Sequence, residues 1–357
     1  MKLWIGKTIS LFGSALSRLA LPLIAATILN ATAPEMGLLA AAGTAPALLI
    51  GLFSGVWVDR FRRRRLLIIG DIGRALLLIT IPIAATLHGL SMIQLYAIIF
   101  LSGIFSFVFN VASRSYLPMV IGRHQLVEGN SKLELSGSIT AVAGPSLAGI
   151  IIQALTAPLA VVLDAVSFLI SAFCVGSINR REEPPHISST PMFVQVREGL
   201  GVVFGNPILR SFAGCMATSN FASNAFFALY ILFGTRQLGL DATQLGMGYG
   251  IGASGALVGA LVAPWVAARL GIGRAVVLGA LLGAAEVLPV VFATPRTAVP
   301  LLIFSSLLGN FGWVLYSINE TSLRQAITPL AQQGRMNATL GFLVSGALPL
   351  GALAGGT

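Results

Sequence analysis

The feature that most constrains this chain is a series of apolar runs, at about 5–30, 37–58, 66–88, 92–113, 133–155, 158–178, 209–233, 243–268, 274–294, 299–320 and 337–357. Each supplies the roughly 20 residues that a helix rising about 1.5 Å per residue needs to cross the hydrocarbon of a bilayer. A membrane strand takes only about 9–11 alternating residues, so runs twice that length do not read as a barrel. The remaining composition agrees. Hydrophobic residues make up 56% of the 357 positions and charged ones 10%, against about 25% charged in a soluble domain. A water-soluble globule is excluded, and the expectation is an all-α integral membrane protein with eleven spans.

Charge sets the orientation. With the N-terminus inside, the inner loops collect eighteen of the 22 Lys and Arg residues, from Lys2 and Lys7 through Arg60 and Arg62–Arg65 to Arg324 and Arg335. The outer loops hold only Arg236 and Arg296, while Arg18 and Arg74 fall within spans. Positive loops stay on the cytoplasmic side, which places the N-terminus in the cytoplasm of a bacterial inner membrane and accounts for the net charge of +10. No basic run is interleaved with aromatics as a base-stacking surface would be, so nucleic acid is not an expected partner. The apolar run behind Lys2 and Lys7 is long enough to span and reads as the first helix, not a cleaved leader.

Six spans precede the longest interruption, residues 179–207, and five follow it. The interruption opens with Arg180-Arg181-Glu182-Glu183-Pro184-Pro185, a turn-forming linker. Met192, Phe193, Val196, Leu200, Val203 and Phe204 then recur at helical spacing, as in a helix lying on the inner membrane surface. The division is therefore 1–178 as a six-helix bundle, 179–207 as a cytoplasmic linker and 208–357 as a second bundle of five spans. Two matched bundles suggest a substrate path between them. Equal halves require twelve spans, so the second bundle reads as truncated.

Polar residues inside spans are costly and concentrate where function needs them. Span 4 carries Ser102, Ser106, Asn110 and Ser113 on one helical face, with Phe105 and Phe109 beside it; span 10 carries Ser306, Asn310, Trp313, Ser317 and Glu320. Span 7 has Asn220 and Asn224 four apart with Phe226 and Phe227 beyond, and span 1 has Ser10, Ser14 and Arg18. At about 1.5 Å per residue, Arg18 and Asp164 come out roughly 18 and 20 Å from the inner face, a shared depth that allows an ion pair. Glu286 in span 9 has no cation near it in sequence, which makes it a proton-coupling candidate with Asp164 and Glu320. Asp71 and Arg74, three apart in span 3, read as a local pair.

Motifs of soluble chemistry are missing. Gly6-Lys7-Thr8 echoes a phosphate loop but lacks its leading glycine. His88, His124 and His186 have no metal-ligand spacing, and Cys174 and Cys215 both sit in apolar segments. No enzyme, metal or cofactor is expected.

The loop after span 2 reads Gly55-Val56-Trp57-Val58-Asp59-Arg60-Phe61-Arg62-Arg63-Arg64-Arg65. It resembles the Gly-x-x-x-Asp-Arg-x-Gly-Arg-Arg signature of the major facilitator superfamily, with Arg62 where the family has glycine. Gly144-Pro145-Ser146-Leu147-Ala148-Gly149 in span 5 is similar to the Gly-Pro-x-x-Gly-Gly element of its antiporters. Asp71-Ile72-Gly73-Arg74-Ala75, Asp164-Ala165-Val166-Ser167-Phe168, Arg197-Glu198-Gly199-Leu200 and Gly334-Arg335-Met336-Asn337-Ala338 resemble the branch of siderophore exporters and macrolide pumps. The resemblance runs from Ser10 to Thr357. It implies a two-bundle fold of twelve spans, a gating role for Gly55, Asp59, Arg60, Arg63 and Arg64, and helix packing through Gly144, Pro145 and Gly149. It also implies a cavity lined by spans 1, 4, 7 and 10, hence by Arg18, Phe109, Asn110, Asn220, Asn224, Phe227, Asn310 and Trp313. The antiporter arginine of span 4 has no counterpart here, so coupling does not carry over from that motif.

The expected function is export of small amphipathic compounds (drug, macrolide or siderophore-like) by alternating access, as in multidrug-resistance antiporters. A proton gradient is the expected driving force, with the protein working as a monomer in the bilayer. The competing reading is a non-transporting membrane sensor or assembly partner on a transporter fold.

Overall fold

The computed structural model describes residues 1–59, 61–120, 126–178 and 192–357. Thirteen α-helical segments occur in chain order: α1 Lys2–Leu23, α2 Ala33–Asp59, α3 Arg63–Thr86, α4 Met92–Val120, α5 Leu126–Leu155, α6 Ala157–Gly176, α7 Met192–Gly205, α8 Pro207–Arg236, α9 Ala242–Leu270, α10 Ile272–Ala284, α11 Val287–Val291, α12 Ala298–Ile327 and α13 Leu330–Gly356. A π-helical stretch, Ile24–Ile28, prolongs α1. Among the described residues, eleven helices are long and apolar enough to cross a membrane, with α10 and α11 together forming one span, Ile272–Val291. This is the all-α membrane architecture expected from the apolar runs.

Local signals start the helices where the chain must turn. Asn206 caps α8, its Oδ1 accepting from the backbone N–H groups of Ile208 and Leu209 at 2.9 and 3.3 Å, with Pro207 at the first helical position. Asp241 and Gln244 form a reciprocal capping box at α9. Both devices satisfy N–H groups that a helix start leaves open.

The exterior is apolar. Leu261, Ile93 and Phe173 are 81, 79 and 76% exposed, an arrangement stable only against lipid. The short helix α7 docks Val203 into a cluster with Leu209, Ala213, Met336 and Leu340, while Leu200 and Phe204 stay exposed. The remainder of the linker, 179–191, lies outside the described residues.

Helices α1 to α6 pack among themselves, chiefly α1 on α6, α3 on α6 and α2 on α4; in the later part α9 packs on α12, α8 on α13 and α10 on α12. The two most extensive contacts between these groups are α5 with α9 and α2 with α13, with a smaller one between α2 and α8. Glycine makes both possible. A Cβ on Gly149 would strike the backbone of Ala242 and Thr243, and one on Gly246 the Pro145 carbonyl and the Gly149 backbone. Gly37 meets Ala352 and Gly356 in the same way. All these positions lie towards one end of the bundle, the end where α1 finishes. There the two groups of helices are closed on each other, backbone against backbone.

Candidate functional site

Among the described residues, one cavity opens between the two groups of helices and another within the later group. The first, of about 370 Å³, is lined from both groups of helices: Arg18 with Ser14 and Ser17 on α1, Arg74 on α3, Ser102 and Ser106 on α4, Asp164 and Phe168 on α6, Phe227 on α8 and Tyr249 on α9. The second, of about 500 Å³, lies in the later group, between α8, the α10–α11 span and α12. It is lined by Asn220, Asn224, Phe226, Phe227, Glu286, Asn310 and Trp313. Phe227 belongs to both.

Beneath the first cavity the charges are tightly organised. Arg74 Nη2 donates to Asp71 Oδ1 at 2.5 Å, Nε to the Gly70 carbonyl at 3.1 Å and Nη1 to Ser106 Oγ at 3.4 Å. Its guanidinium also lies over the rings of Phe168 and Phe109, 4.0 and 4.7 Å from their centroids. Asp71 is fully buried. A buried ion pair of this kind holds only when further donors and acceptors surround it, and Arg74 has them. The local Asp71–Arg74 pair is as the three-residue spacing suggested, but its place on the cavity wall was missed. The available signal was an arginine well inside a span.

The expected Arg18–Asp164 ion pair does not form. The two share the cavity and act on each other electrostatically, yet do not come within ion-pair distance. Asp164, 1% exposed, sits behind Gly13, where any Cβ would collide with it, and accepts the Ser167 hydroxyl at 3.2 Å. Arg18 instead extends its guanidinium into the open cavity.

Span 9 breaks at Glu286. Pro289 cannot donate to the Ala285 carbonyl, the group four residues back, and α10 ends at Ala284 before α11 resumes at Val287. The Glu286 carbonyl accepts from Ser305 Oγ at 2.7 Å, which ties the break to α12. The Glu286 side chain turns into the second cavity against Gly309, which leaves the room a Cβ would fill. Among the described residues this carboxylate has no ion-pair partner. Glu320 differs: it is buried and paired with Arg324 Nη1 at 3.2 Å, and accepts the Thr321 hydroxyl at 3.3 Å.

The asparagines partly serve their own helices. Asn220 and Asn310 donate Nδ2 to the Met216 and Ser306 carbonyls, both at 2.8 Å, leaving the side-chain oxygens for the cavity. Asn224 lines the same space. Phe109 and Asn110, expected on the lining, are on neither cavity wall. Phe109 is buried under the Arg74 guanidinium, and Asn110 is exposed further along α4. The sequence stripe puts Asn110 on the face of Ser102 and Ser106 but could not set how far along the helix the cavity reaches. Tyr249 and Tyr230, overlooked at the level of sequence, pack their rings 4.5 Å apart, and Phe227 stacks on Tyr249 at 6.0 Å.

Of the signature loop, the side chains of Gly55 and Asp59, and all of Arg60, lie outside the described residues. Arg64 donates Nε to the Val175 carbonyl at 3.3 Å and Nη2 to the Gly176 carbonyl, both at the end of α6. Arg63 Nη1 reaches Met119 Sδ at 3.2 Å. In span 5, Gly144 packs against Ala15 and Gly149 against α9.

Two groups of membrane-spanning helices that enclose a space closed at one end fit the two-bundle arrangement of secondary transporters. The chain belongs to the Major Facilitator Superfamily, whose model matches residues 3–352. It is 26% identical to the multidrug efflux pump Tap of Mycolicibacterium fortuitum over 92% of this chain and 81% of that protein. It is 23% identical to the enterobactin exporter EntS of Salmonella typhimurium over 82% and 70%. A further match, at 27% identity, is to the uncharacterized MFS-type transporter YfiS of Bacillus subtilis and spans 58% of this chain and half of that relative's length. Among solved structures, a bacterial homologue of the iron transporter ferroportin in an inward-facing state superposes with a TM-score of 0.78, at 17% identity, over 99% of this chain and 90% of that one. The nucleoside transporter NupG does so at 0.77, with 13% identity, over 99% and 89%. The chain is thus an integral membrane transporter and not an enzyme.

Proposed function

We propose that this protein exports small amphipathic compounds across the bacterial inner membrane by alternating access, with protons as the driving ion. The observation that carries this reading is the first cavity, where an arginine-and-serine wall from α1, α3 and α4 faces an aromatic wall from α8 and α9. Such a space suits cargo with both polar and apolar parts. The likeness to Tap and EntS supports the direction of transport, outward, and the class of cargo.

In this reading residues 1–178 and 208–357 are the two rocking bundles, joined by 179–207, with the N-terminus cytoplasmic. The end closed by Gly149, Gly246 and Gly37 is then the outer one, and the structure is an inward-facing state ready to load. Glu286 is the favoured proton carrier, because its carboxylate reaches a cavity and has no cation partner. Asp164 is the second candidate; Glu320 is engaged by Arg324. The Arg60-to-Arg64 loop acts as the inner latch.

The test is transport in everted membrane vesicles, with a panel of fluorescent drugs and siderophore-like compounds. Accumulation driven by respiration and abolished by a protonophore is expected. Accumulation unaffected by collapse of the proton gradient would remove the coupling assignment, and no accumulation of any compound would remove export.

A further inference from the structure

We propose that the first cavity selects cargo carrying an anionic group, held by Arg18, on a flat aromatic body held by Phe227 and Tyr249. This rests on the transporter reading and names its substrate class.

Four observations converge. Arg18 is exposed within the cavity, and among the described residues its guanidinium has neither a hydrogen bond nor an ion pair. The other cation on the wall, Arg74, is buried and engaged by Asp71, Ser106, the Gly70 carbonyl and two rings, so it has little left to offer a ligand. Neither carboxylate stands free in the lumen: Asp71 is bound by Arg74, and Asp164, although on the cavity wall, is 1% exposed and accepts the Ser167 hydroxyl. Opposite, Phe227 and Tyr249 lie with their planes 26° apart, giving an aromatic wall contributed by the other group of helices.

The physics favours an anion. A guanidinium in the middle of a membrane protein is costly to leave without a counter-charge, and its fork of donors matches a carboxylate through two hydrogen bonds. Asp164 attracts Arg18 without engaging it, so it holds the side chain near the lumen and leaves those donors free. A cation entering the same space would meet Arg18 as a like charge, with no exposed carboxylate on this wall to offset it. Cargo of this kind touches both groups of helices at once, its acid on α1 and its ring on α8 and α9. That bridging is what a rocking transporter needs to sense that it is loaded.

Binding to the full chain in lipid nanodiscs tests the proposal, with three probes of one shape: 2-naphthoate, 2-naphthamide and 2-naphthylmethylammonium. The wild type is expected to bind the acid about tenfold more tightly than the amide, the ratio for one charge-assisted contact, and the ammonium most weakly. Arg18→Gln, checked for folding by its elution in size-exclusion chromatography, is expected to bring acid and amide to similar affinities; Arg18→Lys retains part of the preference. Phe227→Ala is expected to weaken acid and amide alike. Equal binding of acid and amide by the wild type, a preference that survives Arg18→Gln, or no saturable binding of the acid would each overturn the assignment. Vesicle accumulation of neutral or cationic drugs by the wild type would in those cases leave the transporter reading standing.

Discussion

Replacing Gly246 with alanine adds one methyl group at the place where α9 meets α5. Its Cβ would press on the Pro145 carbonyl and lie 3.1 and 3.2 Å from the Cα and N of Gly149. Carbon contacts are comfortable only at about 3.5–4.0 Å. All three obstructing atoms are backbone, so no side chain can rotate aside and the helices must separate. Overpacking of this kind costs about 1–3 kcal/mol, and it falls only on the state in which these ends touch. Alanine's better helix propensity, about 1 kcal/mol, acts in every state and cancels from the equilibrium. The closed form should therefore lose about 5- to 150-fold in population relative to the open one. Pulsed dipolar spectroscopy reads this directly, with spin labels on Thr86→Cys and Arg296→Cys at the closed end and Cys174 and Cys215 replaced by alanine. The short-distance population should shrink and a longer one grow. Gly214→Ala is the control, since nothing lies within 4 Å of its Cβ. A folded Gly246→Ala protein with an unchanged distance distribution would refute the reasoning.

Arg74→Gln leaves Asp71 buried without its partner and should cost about 3–5 kcal/mol, seen as loss of folded protein by size-exclusion chromatography in detergent. The double variant Asp71→Asn, Arg74→Gln should recover most of it. Arg64→Gln removes the cation at the open end of α6 and should cost about 0.3–2 kcal/mol, measured as a lower unfolding temperature in a thiol-reactive dye assay; an unchanged value would show that those carbonyls are satisfied otherwise. Glu286→Gln should leave drug binding intact while vesicle accumulation loses its dependence on the pH gradient. Gly309→Ala, which pushes on the Glu286 carboxylate, should weaken the same dependence, and coupling that persists in both would exclude Glu286.

Much of this was legible because the bilayer imposes a length on every helix. The apolar runs placed all eleven spans, and the spacing of Asn220, Asn224 and Phe227 put them on a common face that does line a cavity. What escaped depends on which helices touch. Arg18 and Asp164 lie at one depth, but depth fixes height and not azimuth, and Gly13 packs α1 so closely on α6 that the carboxylate turns to Ser167. Phe109 belongs to the sequence stripe's neighbourhood, yet Arg74 draws its ring into the packed layer. The break at Glu286 had a signal in Pro289, three residues on, whereas the vacancy that admits its carboxylate comes from Gly309 on another helix.

Helix α9 is bare on two sides. Gly246 and Gly250 meet α5, while Gly252, Gly255 and Gly259 press on the Ser306, Leu307 and Phe311 stretch of α12. The second seam is the longer, and α12 is in turn seated on α10 through Gly312 and Gly279. When the first seam parts, α9 cannot swing alone; it carries α12 and α10 with it, like a door leaf that takes its post along. The broken span bearing Glu286 is fastened to that same panel, so in the proposed cycle the turn that parts the first seam also carries the acid to a new environment in a single stroke.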